Sequence, residues 1–248
     1  MAVTGKEPYR ARADMSKANW GRYFAVVDGF TYDDVPHAPW VRHVDKAFPE
    51  ENTGRNHGLT LAMLQLMPSL HPEAKWFLFT DDDTFVVPHQ LLRLAASLDS
   101  SEPFMTGRVY AYPPDHQVWF VCGGSGILAS RAFAERLAPR ALGCRRTYNW
   151  EDYSDSKVGS CARDVFEAEG GASEPYVQSR DDFWNRPLEE AGVSEGLLPE
   201  NAVITMHIKD VNRSQDIFRF FEKDLTAGRD IRWGDVARAV KGFGSSLK

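Results

Sequence analysis

The chain has 248 residues, 43% hydrophobic and 26% charged, enough for one large α/β domain with a substantial core. Its formal net charge of -6 argues against a diffuse nucleic-acid surface, which needs an excess of Lys and Arg. No apolar run reaches the length of a membrane span, and residues 1–9 carry no signal-peptide pattern, which leaves a cytosolic protein or a catalytic domain separated from its anchor. The cysteines at 122, 144 and 161 are too few for a disulfide scaffold. Composition favours three reduced thiols, and an oxidising compartment would allow one pair and one buried thiol.

In chain order, residues 2–4 read as the stub of a first strand and residues 11–20 as a helix. Tyr23 to Asp28 is an apolar run ending in the turn signal Asp28-Gly29, which predicts a second strand. Pro36 and Pro39 mark a loop. Leu59, Met63, Leu66 and Met67 recur at helical spacing with Ala62, so residues 58–67 form an amphipathic helix. Residues 75–80 predict a short strand, and Pro88 opens a helix whose buried face is Leu91, Leu92, Ala95 and Leu98. Strands are expected over 104–109 and 118–121, with Gly123-Gly124-Ser125-Gly126 after the second and Ser130 capping a helix over 131–138. Val158, Cys161, Ala162, Val165 and Phe166 repeat helically. Residues 202–206 predict a strand ending at His207, and Ser214 is expected to cap a last helix carrying Ile217, Phe218, Phe221 and Leu225. Strands alternating with helices in the first half predict an α/β fold with a mostly parallel central sheet flanked by helices. With no repeat and no low-complexity linker, residues 1–248 read as a single domain.

The most informative feature is Asp81-Asp82-Asp83 directly after the apolar run 75–80. Adjacent carboxylates repel and raise one another's pKa, and a divalent cation relieves this. Hard oxygens suit Mn²⁺ or Mg²⁺, and the carboxyl end of a sheet strand is where α/β proteins bind ligands. A plain polar turn ahead of the Pro88 helix is the simpler alternative, made less attractive by three aspartates after so apolar a strand. A phosphatase of the haloacid dehalogenase type needs a nucleophilic Asp four residues before its Thr. Counting back from Thr84 gives Thr80, which weakens that reading.

The segment Trp76-Phe77-Leu78-Phe79-Thr80-Asp81-Asp82-Asp83-Thr84-Phe85-Val86 resembles the metal-binding strand of the fringe and core 1 β1,3-galactosyltransferase family, glycosyltransferase family 31. Residues 122–130 resemble its Gly-Gly-Ala-Gly segment, and Ala2-Val3-Thr4 with Arg12 and Trp20 resemble its first strand and helix. Cys144, Asp155, Gly159 and Cys161 match its Cys…Glu-Asp-x-x-x-Gly-x-Cys pattern, and His207 falls where the family has a C-terminal His.

The resemblance implies a GT-A fold, with a nucleotide-binding part over about 1–110 and an acceptor part over about 111–248. It implies a UDP-sugar donor, Mn²⁺ or possibly Mg²⁺ as cofactor, and inverting transfer to an acceptor hydroxyl with a β-linkage. Asp83 would be the main metal ligand, Asp81 would lie at the metal or reach it through water, and His207 would close the shell. Asp82 would face the ribose. Thr4, Arg12 and the loop Gly123, Gly124, Ser125 and Gly126 would bind the donor. Asp155 would be the catalytic base. It is preferred to the literal Glu151-Asp152 dipeptide because it keeps the spacing to Gly159 and Cys161, although Ser154 precedes it where the family often has an acid. Trp119 and Trp184 are candidates for stacking on a sugar, with core packing the ordinary role of a Trp. A Cys144–Cys161 bridge also follows from the resemblance. The chain departs from the family at Ala62, where a Lys is common, and Arg55 or His57 is a candidate replacement. The acceptor could be a glycan, a protein, a small molecule or a modified base. A native chain starting at Met1 would be cytosolic, and one with an upstream apolar span would lie in the Golgi lumen. The other readings are a non-catalytic UDP-sugar or glycan-binding module on the same fold and, behind it, a metal-dependent phosphatase or nucleotidyltransferase.

Overall fold

Residues 76–79 alternate their side chains between two cores: Phe77 and Phe79 enter one cluster, while Trp76 and Leu78 pack against the other. That period of two places a sheet between two layers of helices. The computed structural model describes residues 1–3, 9–33, 38–48, 58–111, 118–148, 153–170, 176–184, 201–208 and 211–244. In chain order the elements are α1 (Tyr9–Asn19), β1 (Gly29–Thr31), β2 (Val41–His43), α2 (Leu59–Leu70), β3 (Trp76–Phe79), β4 (Thr84–Val86), α3 (Pro88–Ala96), β5 (Met105–Gly107), β6 (Val109–Ala111) and β7 (Trp119–Val121). They continue with β8 (Ile127–Ser130), α4 (Arg131–Leu137), α5 (Ala141–Thr147), α6 (Ser154–Ala168), β9 (Val177–Ser179), β10 (Phe183–Trp184), β11 (Thr205–His207), α7 (Val211–Thr226) and α8 (Trp233–Gly244). No described helix is long and apolar enough to cross a membrane.

The first three residues are the hinge of the sheet. Ala2 forms parallel bridges with Phe30 on one side and Asp81 on the other, joining β1 to the end of β3. The order is therefore β2, β1, residues 1–3, β3, β8, β5, β9. Every strand runs one way except β8, which is antiparallel to β3 and to β5. The mostly parallel sheet expected from the α/β alternation is present, with this one reversed strand. A second sheet, β10-β11-β4, continues from the aspartates, and β6 and β7 form a hairpin. Helices α2, α4, α5 and α6 cover one face of the main sheet with Leu59, Phe133, Ala141 and Val158, while α1, α3, α7 and α8 cover the other with Ala13, Leu91, Ile217 and Val236. A disulfide joins Cys144 of α5 to Cys161 of α6, with Cα atoms 5.6 Å apart, and Cys122 remains a buried thiol. This corrects the compositional expectation of three thiols.

Four local expectations change. The apolar run 23–28 is not a strand: a 3₁₀ turn covers Gly21–Tyr23, and pairing begins only at Gly29. Tyr23, Phe24 and Val27 still pack against the core, so burial without a ladder partner explains the run. A Cβ at Gly29 would lie 2.6 Å from the Trp40 ring, so this glycine permits close packing at a strand start. On α3 the buried face is Leu91, Leu94 and Ala95, and Leu92 is 52% exposed because one residue turns the helix by about 100°. The expected strand 104–109 breaks at Gly107, where a Cβ would meet Val121 Cγ1 at 2.5 Å, and the chain leaves the sheet there as the β6–β7 hairpin. Ser214 does not cap α7: the helix starts at Val211, and the Ser214 hydroxyl donates to Ile208 O at 3.3 Å. Ser130 does cap α4, accepting from Phe133 N at 3.1 Å.

Candidate active site

The reversed strand builds the site. Phe79 at the end of β3 pairs with Ile127 at the start of β8, so the chain leaving β3 runs beside the glycine loop entering β8. That loop closes as a 3₁₀ turn with Gly126 N donating to Gly123 O at 2.8 Å. It is anchored from outside: Thr84 Oγ1 donates to Gly124 O at 3.0 Å, and Thr205 Oγ1 donates to Ser125 O. Ser125 is fully buried and its hydroxyl donates to Cys122 O at 2.9 Å, so the side chain serves the turn itself.

β4 follows the aspartates and pairs antiparallel with β11, placing Thr84 opposite His207. Ile208 N donates to Asp83 O at 2.7 Å, and His207 Nε2 comes within 3.1 Å of Asp83 Oδ1. The imidazole lies flat against the glycine loop. A Cβ on Gly124 would sit 2.6 Å from His207 Cε1 and Nδ1, so only glycine leaves room for the ring.

The three carboxylates point in different directions. Asp82 turns to Arg12, whose Nη2 lies 3.3 Å from its Oδ1, and both are nearly excluded from solvent. Asp83 divides its oxygens, Oδ2 lying 3.5 Å from Arg12 Nη1 and Oδ1 facing His207. Asp81 turns to the glycine loop, its Oδ2 lying 3.9 Å from the place where a Gly123 Cβ would be. Among the described residues no three His, Cys, Asp or Glu side chains converge as a complete metal cage. Asp83 and His207 nevertheless fit a shared cation. Asp83 Oδ1 is buried without a hydrogen bond, and its 3.1 Å separation from Nε2 matches neighbouring ligands of an octahedral ion, about 3.0 Å apart for bonds of about 2.1 Å. An ion held by so few protein ligands takes the rest of its shell from water and substrate phosphates.

Asp155 lies in the first turn of α6. Its Oδ2 accepts from Gly123 N at 3.0 Å and its Oδ1 from Ser156 N at 2.9 Å. The Asp155 Oδ2 is also 3.9 Å from the missing Gly123 Cβ, so Asp81 and Asp155 both border the space that a side chain at 123 would enter. The residue keeps some exposure, but its carboxyl is deeply packed. Desolvation raises its pKa above the ordinary carboxylate value, opposed by the two backbone N–H bonds. Ser154, where the family often has an acid, ties this turn to α2: its hydroxyl accepts from Thr60 N at 2.9 Å and donates to Thr60 Oγ1 at 2.8 Å. One turn further, a Cβ on Gly159 would lie 2.7 Å from Trp119 O, so glycine lets α6 lie against β7 and reach the loop.

Arg12, Asp81, Asp82, Asp83, Gly123–Gly126, Asp155 and His207 are thus gathered at one edge. Thr4, Arg55, His57, Glu151 and Asp152 lie outside the described residues. Trp184 is a core residue, 3% exposed with its ring 5.1 Å from that of Trp233, whereas Trp119 is 40% exposed. Ala62 is buried in α2, and on α6 Lys157 is fully buried with Nζ 5.4 Å from the Phe48 ring centre. Sequence reading passed over Lys157, Ser16, Thr84 and Thr205, and a lysine inside the apolar stripe of α6 was the one visible signal. A cavity of about 290 Å³, lined by Trp20, Phe24, Met67, Trp76 and Leu91 with Asp28 and Thr80 at its wall, does not include Asp81–Asp83, Asp155 or His207.

A Fringe-like family model matches residues 15–169, which include the three aspartates, the glycine loop and Asp155. The chain is 35% identical over 81 residues to the β-1,3-N-acetylglucosaminyltransferase radical fringe of Gallus gallus, covering 27% of this chain and 22% of that protein. It is 32% identical over 84 residues to manic fringe of Homo sapiens, covering 29% of this chain and 26% of the relative. These matches therefore span about a quarter of the relatives' own length. A crystal structure of a glycosyltransferase involved in glycosylation of the major capsid of PBCV-1 superimposes with a TM-score of 0.51 at 12% identity, over 90% of this chain and 97% of that one. At that identity the likeness is one of fold, and it agrees with a GT-A-like α/β architecture. Together, the family match over most of the chain and the placement of its motifs at one sheet edge show that this protein belongs to the Fringe-like family.

Proposed function

We propose that this protein is a metal-dependent, inverting glycosyltransferase that moves a sugar from a UDP-sugar to an acceptor hydroxyl and forms a β-linkage. The observation that carries the reading is Asp155, a desolvated carboxylate held by Gly123 N–H beside a space that Asp81 also borders, at the edge where the glycine loop and His207 meet. A carboxyl with a raised pKa suits a general base working near neutral pH. Asp155 takes the proton of the acceptor hydroxyl as its oxygen forms the new bond to the sugar carbon. The bond from that carbon to the diphosphate breaks on the opposite side, and UDP departs with the electron pair.

Asp83 and His207 are the residues to hold Mn²⁺ or Mg²⁺, with Asp81 joining through water. A bound cation would supply charge neutralisation of the leaving diphosphate. Of the loop glycines, Gly123 is the partly exposed one, and its lack of a side chain lets the donor approach the backbone beside Asp81 and Asp155. Exposed Trp119, on the strand that leads into this loop, offers an aromatic face to an acceptor sugar.

The relatives' names make UDP-N-acetylglucosamine the first donor to test, with UDP-galactose, UDP-glucose and UDP-glucuronic acid beside it. The assay is UDP release with Mn²⁺, with EDTA, and with Mn²⁺ restored. Mn²⁺-dependent release from at least one donor is expected. UDP binding without turnover of any donor over a broad acceptor panel would instead make the protein a binding module.

A further inference from the structure

We propose that one face of α1, formed by Arg12, Ser16 and Trp20, is a positioning clamp that sets the direction of Asp82 and Asp83 in the triplet. The proposal rests on the metal reading above and concerns how the site is held. The spacing of four residues keeps the three side chains on one helical face, and Trp20 continues in helical backbone just past the last turn. All three are nearly buried, at 5%, 6% and 4% exposure.

They reach Asp82 and Asp83 of the loop after β3 and Thr84, the first residue of β4. Arg12 meets the Asp82 and Asp83 carboxylates at 3.3 and 3.5 Å. The Ser16 hydroxyl donates to Asp82 O at 3.0 Å, and the Trp20 indole N–H donates to Thr84 O at 2.9 Å. Within the loop's own turn Thr84 N donates to Asp81 O at a long 3.3 Å, and from β11 Ile208 N donates to Asp83 O at 2.7 Å. Three adjacent carboxylates repel one another, so a loop this short needs outside donors to hold a single arrangement. The clamp neutralises Asp82 and one oxygen of Asp83, and it leaves Asp83 Oδ1 turned to His207. Ser16 and Trp20 are thus positioning residues that act on the cation site through backbone carbonyls.

The test uses neutral substitutions, because removing the Arg12 charge would itself alter cation binding. Mn²⁺ affinity is measured from the EPR signal of free Mn²⁺, and unfolding is followed in parallel. Ser16→Ala and Trp20→Phe each remove one donor, and each is expected to weaken Mn²⁺ binding by about fivefold. Ser16→Thr, which keeps the hydroxyl, should restore affinity to within about twofold of the unsubstituted protein. Gln90→Leu is the comparison: it removes a buried pair of bonds to Ile231 that are no part of the site, so it should lower the melting temperature with Mn²⁺ affinity unchanged. Unchanged affinity in both Ser16→Ala and Trp20→Phe overturns the clamp, as does equal weakening in Gln90→Leu. Absence of Mn²⁺ binding in the unsubstituted protein overturns the metal reading, and the clamp falls with it.

Discussion

Replacing Asp155 by Asn separates catalysis from folding. The amide keeps the volume and can accept one of the two backbone bonds, from Gly123 N or Ser156 N, but cannot take a proton from an acceptor hydroxyl. A positioned base contributes roughly 10²–10⁴-fold in rate, or about 3–5 kcal/mol of barrier, and turnover should fall by that factor. UDP binding with Mn²⁺ should change by less than about threefold, because the proposed ligands Asp83 and His207 are untouched. Stability supplies an independent check. The folded pKa of Asp155 lies above the unfolded one because burial disfavours the charge. Between those two values the folded state binds more protons, so the contribution of Asp155 to stability is present below the unfolded pKa and lost as pH rises through the folded one. The melting temperature of the unsubstituted protein relative to Asp155→Asn should therefore fall as pH rises from the unfolded carboxylate pKa through the raised folded one, and then level. Turnover within about tenfold of normal would refute the base assignment. A stability difference that is flat with pH, or rises, would refute the desolvated carboxylate.

Three further outcomes follow from contacts at the site and beneath it. Gly124→Ala puts a Cβ 2.6 Å from the His207 ring, so it should cost about 1–3 kcal/mol in chemical denaturation and weaken Mn²⁺ binding as the ring is displaced. Cys144→Ser opens a disulfide spanning 17 residues, worth about 3 kcal/mol in the chain-entropy model; the loss should vanish when both proteins are melted under reducing conditions. Trp119→Ala should raise the acceptor KM with little change in melting temperature, whereas Trp184→Ala should lower melting strongly by emptying the space against Trp233. Equal melting losses in the two Trp variants would contradict the assignment of one to the surface and the other to the core.

Local chemistry was enough to locate much of the site. While Asp155 was picked out by the family spacing to Gly159 and Cys161, an apolar run ending in three aspartates and glycines after a strand are patterns whose physical reasons act over a few residues. The same holds for Ser130, whose cap needs only the next turn. The run 23–28 shows the limit, because an apolar segment buries equally well as irregular chain when no strand lies beside it. The direction of each carboxylate was illegible for a related reason. It depends on partners far off in the chain: Arg12 is 71 residues from Asp83, and Ser16 is 66 from Asp82. The reversal of β8 likewise rests on pairings with β3 and β5 rather than on its own residues, and that reversal brings the glycine loop to the aspartates. Short-range pattern and the family resemblance thus pointed to the residues that the structure gathers at one sheet edge. Long-range strand register and the contacts of Asp82 and Asp83 with α1 decided how these residues are arranged, because register and burial are properties of paired segments and no single segment contains them.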